Sequence, residues 1–454
     1  MDVTRARRGR DAGQFDDEGT IVTAAWRNWS RELTAAPTRS VRPSGAEGVA
    51  AAIRHAGEEG RSVRPVGSGH SFTPLALTDD VMLDLSACDR VLHVDHERRR
   101  VRVQGGIRLG ALADTLAHRG LAMENLGDID RQTLAGATAT GTHGTGAAFG
   151  NLATQIRALR LVDGRGEVHD LDEDDERLPA ARINLGALGV VTEIELAVVG
   201  AFTLRGHDRT EPLAQVMDEF TERVDAHRHF EFYAFPYSDR ALTRTNDVVT
   251  GPPQPPGALE AWLTERLLTT YALEGISRMG RRVPRAIPRL NRFVSRVAGE
   301  QVRVDASHRV FASARDVRFT EMELCVPREA GMTLLGDLLD LIERERLPVN
   351  FPIEVRTAAG DDNWLSPAHQ REATYIAVHN FVGLPYEAYF AGVWELARRH
   401  GARPHWGKRH PASADDLAAL YPRWDDFARV RAALDPDGRF VNDHLEQVLG
   451  PVHS

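Results

Sequence analysis

The chain has 454 residues, a net charge of −9 and charged side chains at 27% of positions. That length exceeds what one hydrophobic core ordinarily serves and points to two domains. The acidic balance excludes a globally basic nucleic-acid binder. Cys88 and Cys325 lie far apart with no metal-ligand spacing, which favours a reducing cytoplasmic setting over a disulfide framework.

Residues 1–25 carry Arg5, Arg7, Arg8 and Arg10 with no apolar stretch behind them. They read as a flexible N-terminus, not a secretory signal. Residues 185–202 are the most apolar long segment, but Glu193 and Glu195 make them too polar to span a bilayer. Ser44 and Glu47 have capping-box spacing, ahead of a helix that turns Val49, Ile53 and Ala56 inward and stops at Gly60. Residues 62–66 form a short strand. Val81, Leu83 and Leu85 alternate as in a half-buried strand. Residues 91–94 and 101–103 are two strands joined around Glu97. Leu109, Leu112 and Leu116 mark a helix that Gly120 ends. Residues 159–162 and 167–171 flank Asp163-Gly164 as a hairpin, and Ile194, Leu196 and Val198 alternate with Glu193 and Glu195.

A boundary near Gly200 separates a first domain, 26–203, from a second, 204–454. In the second, Phe230, Phe232, Tyr233 and Phe235 read as a strand, and residues 251–257 as a proline-rich loop. Arg278, Arg281, Arg282, Arg285, Arg289, Arg292 and Arg296 then follow. Such a run reads first as a solvated helical face. Its sharper reading is a docking surface for an acidic partner or a membrane. Strands at 319–326, 349–356 and 374–381 alternate with helices at 334–347 and 389–399. No internal repeats are evident.

Two glycine-rich segments carry the chemistry. The strand at 62–66 runs into Gly67-Ser68-Gly69-His70-Ser71. Gly67 and Gly69 let backbone amides approach a ligand closely, and successive amides make a concave anion site. Ser68 and Ser71 add hydroxyl donors. The third glycine of the dinucleotide fingerprint is missing. The second segment, 125–146, is dominated by small residues: Ala135, Gly136, Ala137, Thr138, Ala139, Thr140 and Gly141. It is too poor in bulky side chains to fill a core and suits backbone lying flat against a large planar group. Further on, Val349, Phe351, Ile353 and Val355 share one strand face, and Glu354 and Arg356 share the other. On its own that pair would be a surface ion pair of little energetic weight.

Together these segments resemble the flavin domain of the vanillyl-alcohol-oxidase superfamily. Within it they are similar to the FAD-linked sugar-lactone oxidoreductases, the D-arabinono-1,4-lactone and L-gulono-1,4-lactone oxidase or dehydrogenase types. Residues 351–356 (FPIEVR), 403–410 (RPHWGKRH), 319–323 (FTEME) and 440–443 (FVND) agree in the same order. The resemblance implies an α+β, two-domain fold: a PCMH-type FAD-binding domain followed by an α+β substrate (cap) domain whose C-terminal segment returns to the flavin. It implies FAD contacts from Val66, Gly67, Ser68, Gly69, His70, Ser71, Gly127, Asp128, Thr133, Gly136, Thr140, Gly141, His143, Val191 and His405, with a covalent bond at His70. Asp128 departs from the serine common in relatives. Glycine at the position of Gly127 leaves room for dioxygen, yet the most similar type are dehydrogenases, so O2 and a cytochrome- or quinone-type acceptor both stay open.

The resemblance also places Glu354, Arg356, Lys408 and His379 at the substrate, the first three as catalytic residues. The implied reaction oxidises the hydroxyl beside the carbonyl of an aldono-1,4-lactone, giving an ascorbate-type enediol after tautomerisation. Alternatives are an alditol oxidase, a flavin-free binding protein that kept the fold, and a metal hydrolase. The last finds no histidine pair at helical metal spacing with an acid between. No metal, no nucleic acid and no transmembrane segment are expected, and peripheral membrane contact stays open.

Overall fold

The computed structural model describes residues 20–21, 25–257, 273–297, 299–312 and 317–452. The expectation for residues 1–25 thus falls largely outside the described residues; Thr20–Ile21 is a short strand paired with Arg39–Val41. Three sheets organise the rest. The first holds Arg39–Val41, Val81–Asp84 and Val63–Val66 in parallel. The helix Ala46–Glu58 crosses between its strands and buries Val49, Ile53 and Ala56, as their spacing predicts. The capping box does not form: Gly45 is the N-cap, and no side chain caps the helix. Val81–Asp84 is not half-buried either. Met82 is as buried as Val81 and Leu83, because a parallel strand is covered on both faces, and Leu85 lies in the following 3-10 turn.

The second sheet is antiparallel, in the order Val168–Leu171, Ile156–Val162, Val190–Ala197, Arg100–Gln104 and Val91–Asp95. It includes the expected hairpin around Asp163 and the alternating strand with Glu193 and Glu195 facing outward.

The third sheet has eight strands: Gln301–Ala306, Thr203–Pro212, Arg240–Val249, His229–Ala234, Ile353–Ala358, Ala373–Phe381, Phe319–Pro327 and Arg403–Pro404. Its register sets Tyr233, Glu354, Ala377 and Glu323 in one row across four strands. Period two then puts Glu231, Arg356, His379 and Glu321 on that same face. The opposite face carries Phe230, Phe232, Val355, Ile376, Val378, Met322 and Leu324, all buried. The helices Phe220–Ala226, Gly331–Glu345 and Glu387–Ala397 cover it. The strand carrying Glu354 starts at Ile353, later than the alternation suggests. Phe351 joins a separate aromatic cluster with Phe72, Phe319 and Phe381.

The polar face turns toward the glycine-rich segment 125–146. Thr145 Oγ1 donates to the Phe230 carbonyl at 2.7 Å, and the Gly146 amide to the Thr357 carbonyl at 2.9 Å. The end of the chain closes on its beginning. Arg64 is buried and donates to four carbonyls, those of Leu75, Leu185, Gly186 and Phe440, at 2.6–3.0 Å. Asn442 Nδ2 donates to the carbonyls of Pro74, Leu75 and Leu77. The FVND segment is therefore a clasp. Cys88 and Cys325 are both free and buried.

Candidate active site

Strand Val63–Val66 delivers the glycine-rich turn. Gly69 sits at φ +67, in the left-handed region where glycine is the easiest choice. Its carbonyl accepts from the Trp29 amide at 2.7 Å, and Asn28 Nδ2 donates to the Ser71 carbonyl at 3.1 Å, so the turn is held from outside. A Cβ on Gly67 would lie 2.1 Å from Thr133 Oγ1, so only glycine lets the turn close on the second segment. Between the two runs a cleft of about 890 Å³. Val66, Gly67, Ser68, Gly69, His70 and Ser71 line one wall; Thr133, Gly136, Thr140 and Val191 line the other.

A second cavity, of about 720 Å³, shares His70, Ser71, Gln132 and Thr140 with the first. Gly127, Asp128, His143, Glu354, Arg356, His379, His405 and Lys408 line it. Every site residue expected from the sequence thus lines one cavity or the other, except Gly141. That glycine, at φ +76, faces Ile183 and Pro367 instead. His70 stands at the junction, with its ring stacked on Trp29 at 5.7 Å.

Arg356 is the centre of a buried ion network. Its Nη2 lies 2.5 Å from Glu354 Oε1 and 3.4 Å from Asp128 Oδ2, and its Nε donates to Glu231 Oε2 at 2.8 Å. Burial works against the Arg356 charge, but Glu354, Glu231 and Asp128 outweigh it and hold its pKa above the ordinary value. Asp128, unexpected beside a flavin, has a partner here. Lys408 is the second cation. Burial would neutralise it, yet Glu321, which it contacts directly, and Glu323 keep it protonated. His379 Nε2 lies 3.5 Å from the other Glu321 oxygen.

Three histidines differ in role. Burial, with Lys408, Arg131 and Arg108 near, brings the His70 imidazole down to about 4, so it is neutral at pH 7. Burial takes His405 down to about 3, and its Nδ1 accepts from the Gly407 amide at 3.0 Å. His143 bonds Glu323 Oε1 at 3.0 Å and stacks on Tyr375 at 3.7 Å. Burial favours protonation of Glu323, but His143, His405 and Lys408 prevail and hold it well below the usual carboxylate range.

The structure adds residues that sequence reading missed: Glu231, Glu321, Glu323, Gln132 and Trp29. The signal for Glu321 and Glu323 was their i, i+2 spacing inside an apolar strand, the same signal that marks Glu354 and Arg356. Glu231 stands likewise among Phe230, Phe232 and Tyr233.

The donor set fits FAD. The two cavities meet at His70, and glycine-rich backbone lines both sides of the first. The Ser68 hydroxyl is buried inside it with no protein partner, which leaves it for a guest. Residues 37–172 match the family model for an FAD binding domain. Residues 194–448, more than half the chain, match that for D-arabinono-1,4-lactone oxidase. The chain belongs to the D-arabinono-1,4-lactone oxidase family. It is an FAD-dependent oxidoreductase acting on CH–OH groups. It is 47% identical over 430 residues to an L-gulono-1,4-lactone dehydrogenase of Mycobacterium tuberculosis, covering 95% of this chain and 100% of that one. It is 31% identical over 433 residues to an L-gulonolactone oxidase of Bos taurus, covering 93% and 98%. Among solved structures, cholesterol oxidase from B. sterolicum superposes with a TM-score of 0.81 at 18% identity, covering 94% and 96%, a likeness of fold. The two matched family models and the α+β sheets agree with the expected architecture of an FAD-binding domain followed by a lactone-oxidase domain.

Proposed function

We propose that this protein oxidises an aldono-1,4-lactone, of the L-gulono- or D-arabinono-1,4-lactone type, at the hydroxyl beside the lactone carbonyl. The observation that carries this reading is the buried Glu354–Arg356 pair, on the sheet face that meets the His70 junction. FAD, when bound, supplies the two-electron acceptor. Glu354 accepts hydrogen bonds from the substrate hydroxyls and steers the departing proton. Arg356, kept charged by three carboxylates, donates to the oxygen on which negative charge develops. Lys408 adds a second fixed positive charge, and His379 closes the cavity beside it. Aromatic neighbours, Phe72 and Phe319, limit water on that side.

The finer points belong to the same reading. The FAD-binding domain comprises residues 26–203, and the cap domain 204–454. The flavin contacts are those expected from the sequence apart from Gly141, and His70, neutral and central, carries the covalent bond. The electrons then pass to O2 or to a cytochrome- or quinone-type acceptor. A Cβ at Gly127 would sit 3.1 Å from the His143 carbonyl, so space there is small and sensitive to one methyl. The product is an ascorbate-type enediol, and the setting is cytoplasmic. Among the described residues, no helix is long and apolar enough to cross a membrane.

Anaerobic mixing with L-gulono-1,4-lactone, D-arabinono-1,4-lactone and xylitol tests the substrate. A lactone is expected to bleach the flavin band; bleaching by xylitol alone would move the protein to alditol oxidation. Air or cytochrome c, added afterwards, identifies the acceptor. His70→Ala is expected to release flavin on acid precipitation; flavin that stays in the pellet rules out the covalent assignment.

A further inference from the structure

The arginine-rich helices, Leu273–Arg282 and Ile287–Val297, are turned inside out relative to ordinary surface helices. Their buried positions include Ser277, Ile287, Asn291 and Ser295, mostly small or polar. Asn291 Nδ2 fixes the second helix by donating to the carbonyls of Pro236 and Val349 at 3.1 and 2.9 Å. Four apolar side chains point the other way: Met279, Val283, Phe293 and Val297 are 46%, 52%, 59% and 59% exposed, while Ile276, Leu290 and Val294 are half-buried. One exposed apolar residue is ordinary; four on a helix pair with polar buried positions mark a surface that something covers.

All four belong to one hexapeptide pattern used twice: Arg278-Met279-Gly280-Arg281-Arg282-Val283 and Arg292-Phe293-Val294-Ser295-Arg296-Val297. In each copy an apolar pair at i, i+4 has arginines at i−1 and i+3, and the arginine at i+3 neighbours the first apolar residue along the helix. From Leu273 to Val297 the sequence has seven arginines and one glutamate, in a chain whose net charge is −9. The glutamate, Glu274, pairs with Arg278. Among the described residues, Arg282, Arg285, Arg289, Arg292 and Arg296 are exposed and form no ion pair. Arg285, Arg292 and Arg346 line a cleft of about 1090 Å³ beside them, with Tyr237 and Glu343 on its wall.

We propose that this face docks on an anionic phospholipid surface. The four apolar side chains enter the boundary between headgroups and acyl chains, and the unpaired arginines meet lipid phosphates, which their planar forks match. An acidic protein groove would be met by the charges alone. Apolar side chains between arginines suit a surface that is anionic outside and oily beneath. Asn291 ties the second helix to the Val349 carbonyl, just ahead of the strand bearing Glu354 and Arg356, so docking fixes the orientation of the catalytic sheet.

Co-sedimentation of the full-length, FAD-loaded protein with phosphatidylcholine vesicles, with and without phosphatidylglycerol, tests this independently of catalysis. The protein is expected to pellet with the anionic vesicles only, and salt to release it. Each arginine replaced should weaken partitioning about five-fold, so Arg289→Gln, Arg292→Gln and Arg296→Gln together lose about 100-fold. Lactone-driven bleaching in solution should be unchanged in that variant. Phe293→Ser with Val297→Ser should also weaken pelleting. The proposal is overturned if the wild type stays in the supernatant at low salt, if neutral vesicles bind equally, or if the triple variant pellets like wild type. Retention on heparin without vesicle binding would assign the face to an acidic macromolecule and overturn it too. So would an unpelleted dimer that the serine pair converts to monomer.

Discussion

On the five-stranded sheet, Arg100, Arg102 and Arg160 meet Glu173, Glu193, Glu195 and Asp170 across strands open to water. On the eight-stranded sheet, Arg356 meets Glu231, Glu354 and Asp128 with a second layer of protein above it. The ingredients are the same: arginines and carboxylates at i and i+2 on neighbouring strands. The setting differs. The Arg102 side chain is 31% exposed and that of Arg356 is 8%. In water such a pair organises a surface and is worth little. Under cover, each charge depends on its partners, because no solvent replaces one that is lost. A buried, fixed guanidinium is also what a developing oxyanion needs, so cover converts a structural pattern into a catalytic one.

Three substitutions break this contrast in graded steps. Arg356→Ala should slow lactone-driven flavin reduction by about 10²–10³-fold, read by anaerobic stopped flow. It should also cost about 3–5 kcal/mol in chemical denaturation, since three acids lose their shared cation. Reduction at the normal rate would remove Arg356 from the chemistry. Glu231→Gln keeps an acceptor near Arg356 Nε but not the charge. About 10-fold slower reduction is expected, the gap between charged and neutral hydrogen bonds. An unchanged rate would make Glu231 purely structural. Arg102→Ala should cost below about 1 kcal/mol and leave reduction untouched. A larger loss would show that the open sheet is not the inert counterpart assumed.

The same contrast explains what was legible in the sequence. Glu354 and Arg356 stood out because flanking residues carried a family resemblance, not because their spacing was unusual. Glu193 and Glu195 have the identical spacing and lie at the surface. Glu321 and Glu323 share it too; the resemblance covers residues 319–323 but assigned these two no role. Only register across four strands tells which alternating charges share a face, and only the fold tells which face is covered. The cradle was easier, since Gly67 and Gly69 announce a backbone requirement locally. The capping box at Ser44 failed for the converse reason. Its spacing was right, but Gly45 took the cap position, while the Ser44 carbonyl accepts from Gln104 Nε2 at 3.1 Å. Asp128 looked out of place until a guanidinium from the other domain appeared beside it.

The clasp of Arg64 on the Phe440 carbonyl joins residues 376 positions apart. During synthesis at about 5–20 residues per second, Arg64 therefore waits about 20–75 s for that oxygen to emerge from the ribosome. Until then the guanidinium behind the glycine turn lacks its shortest bond, and Asn442 has yet to brace the loop after it. The backbone behind the glycine turn is thus fully braced only once the distal segment has been translated.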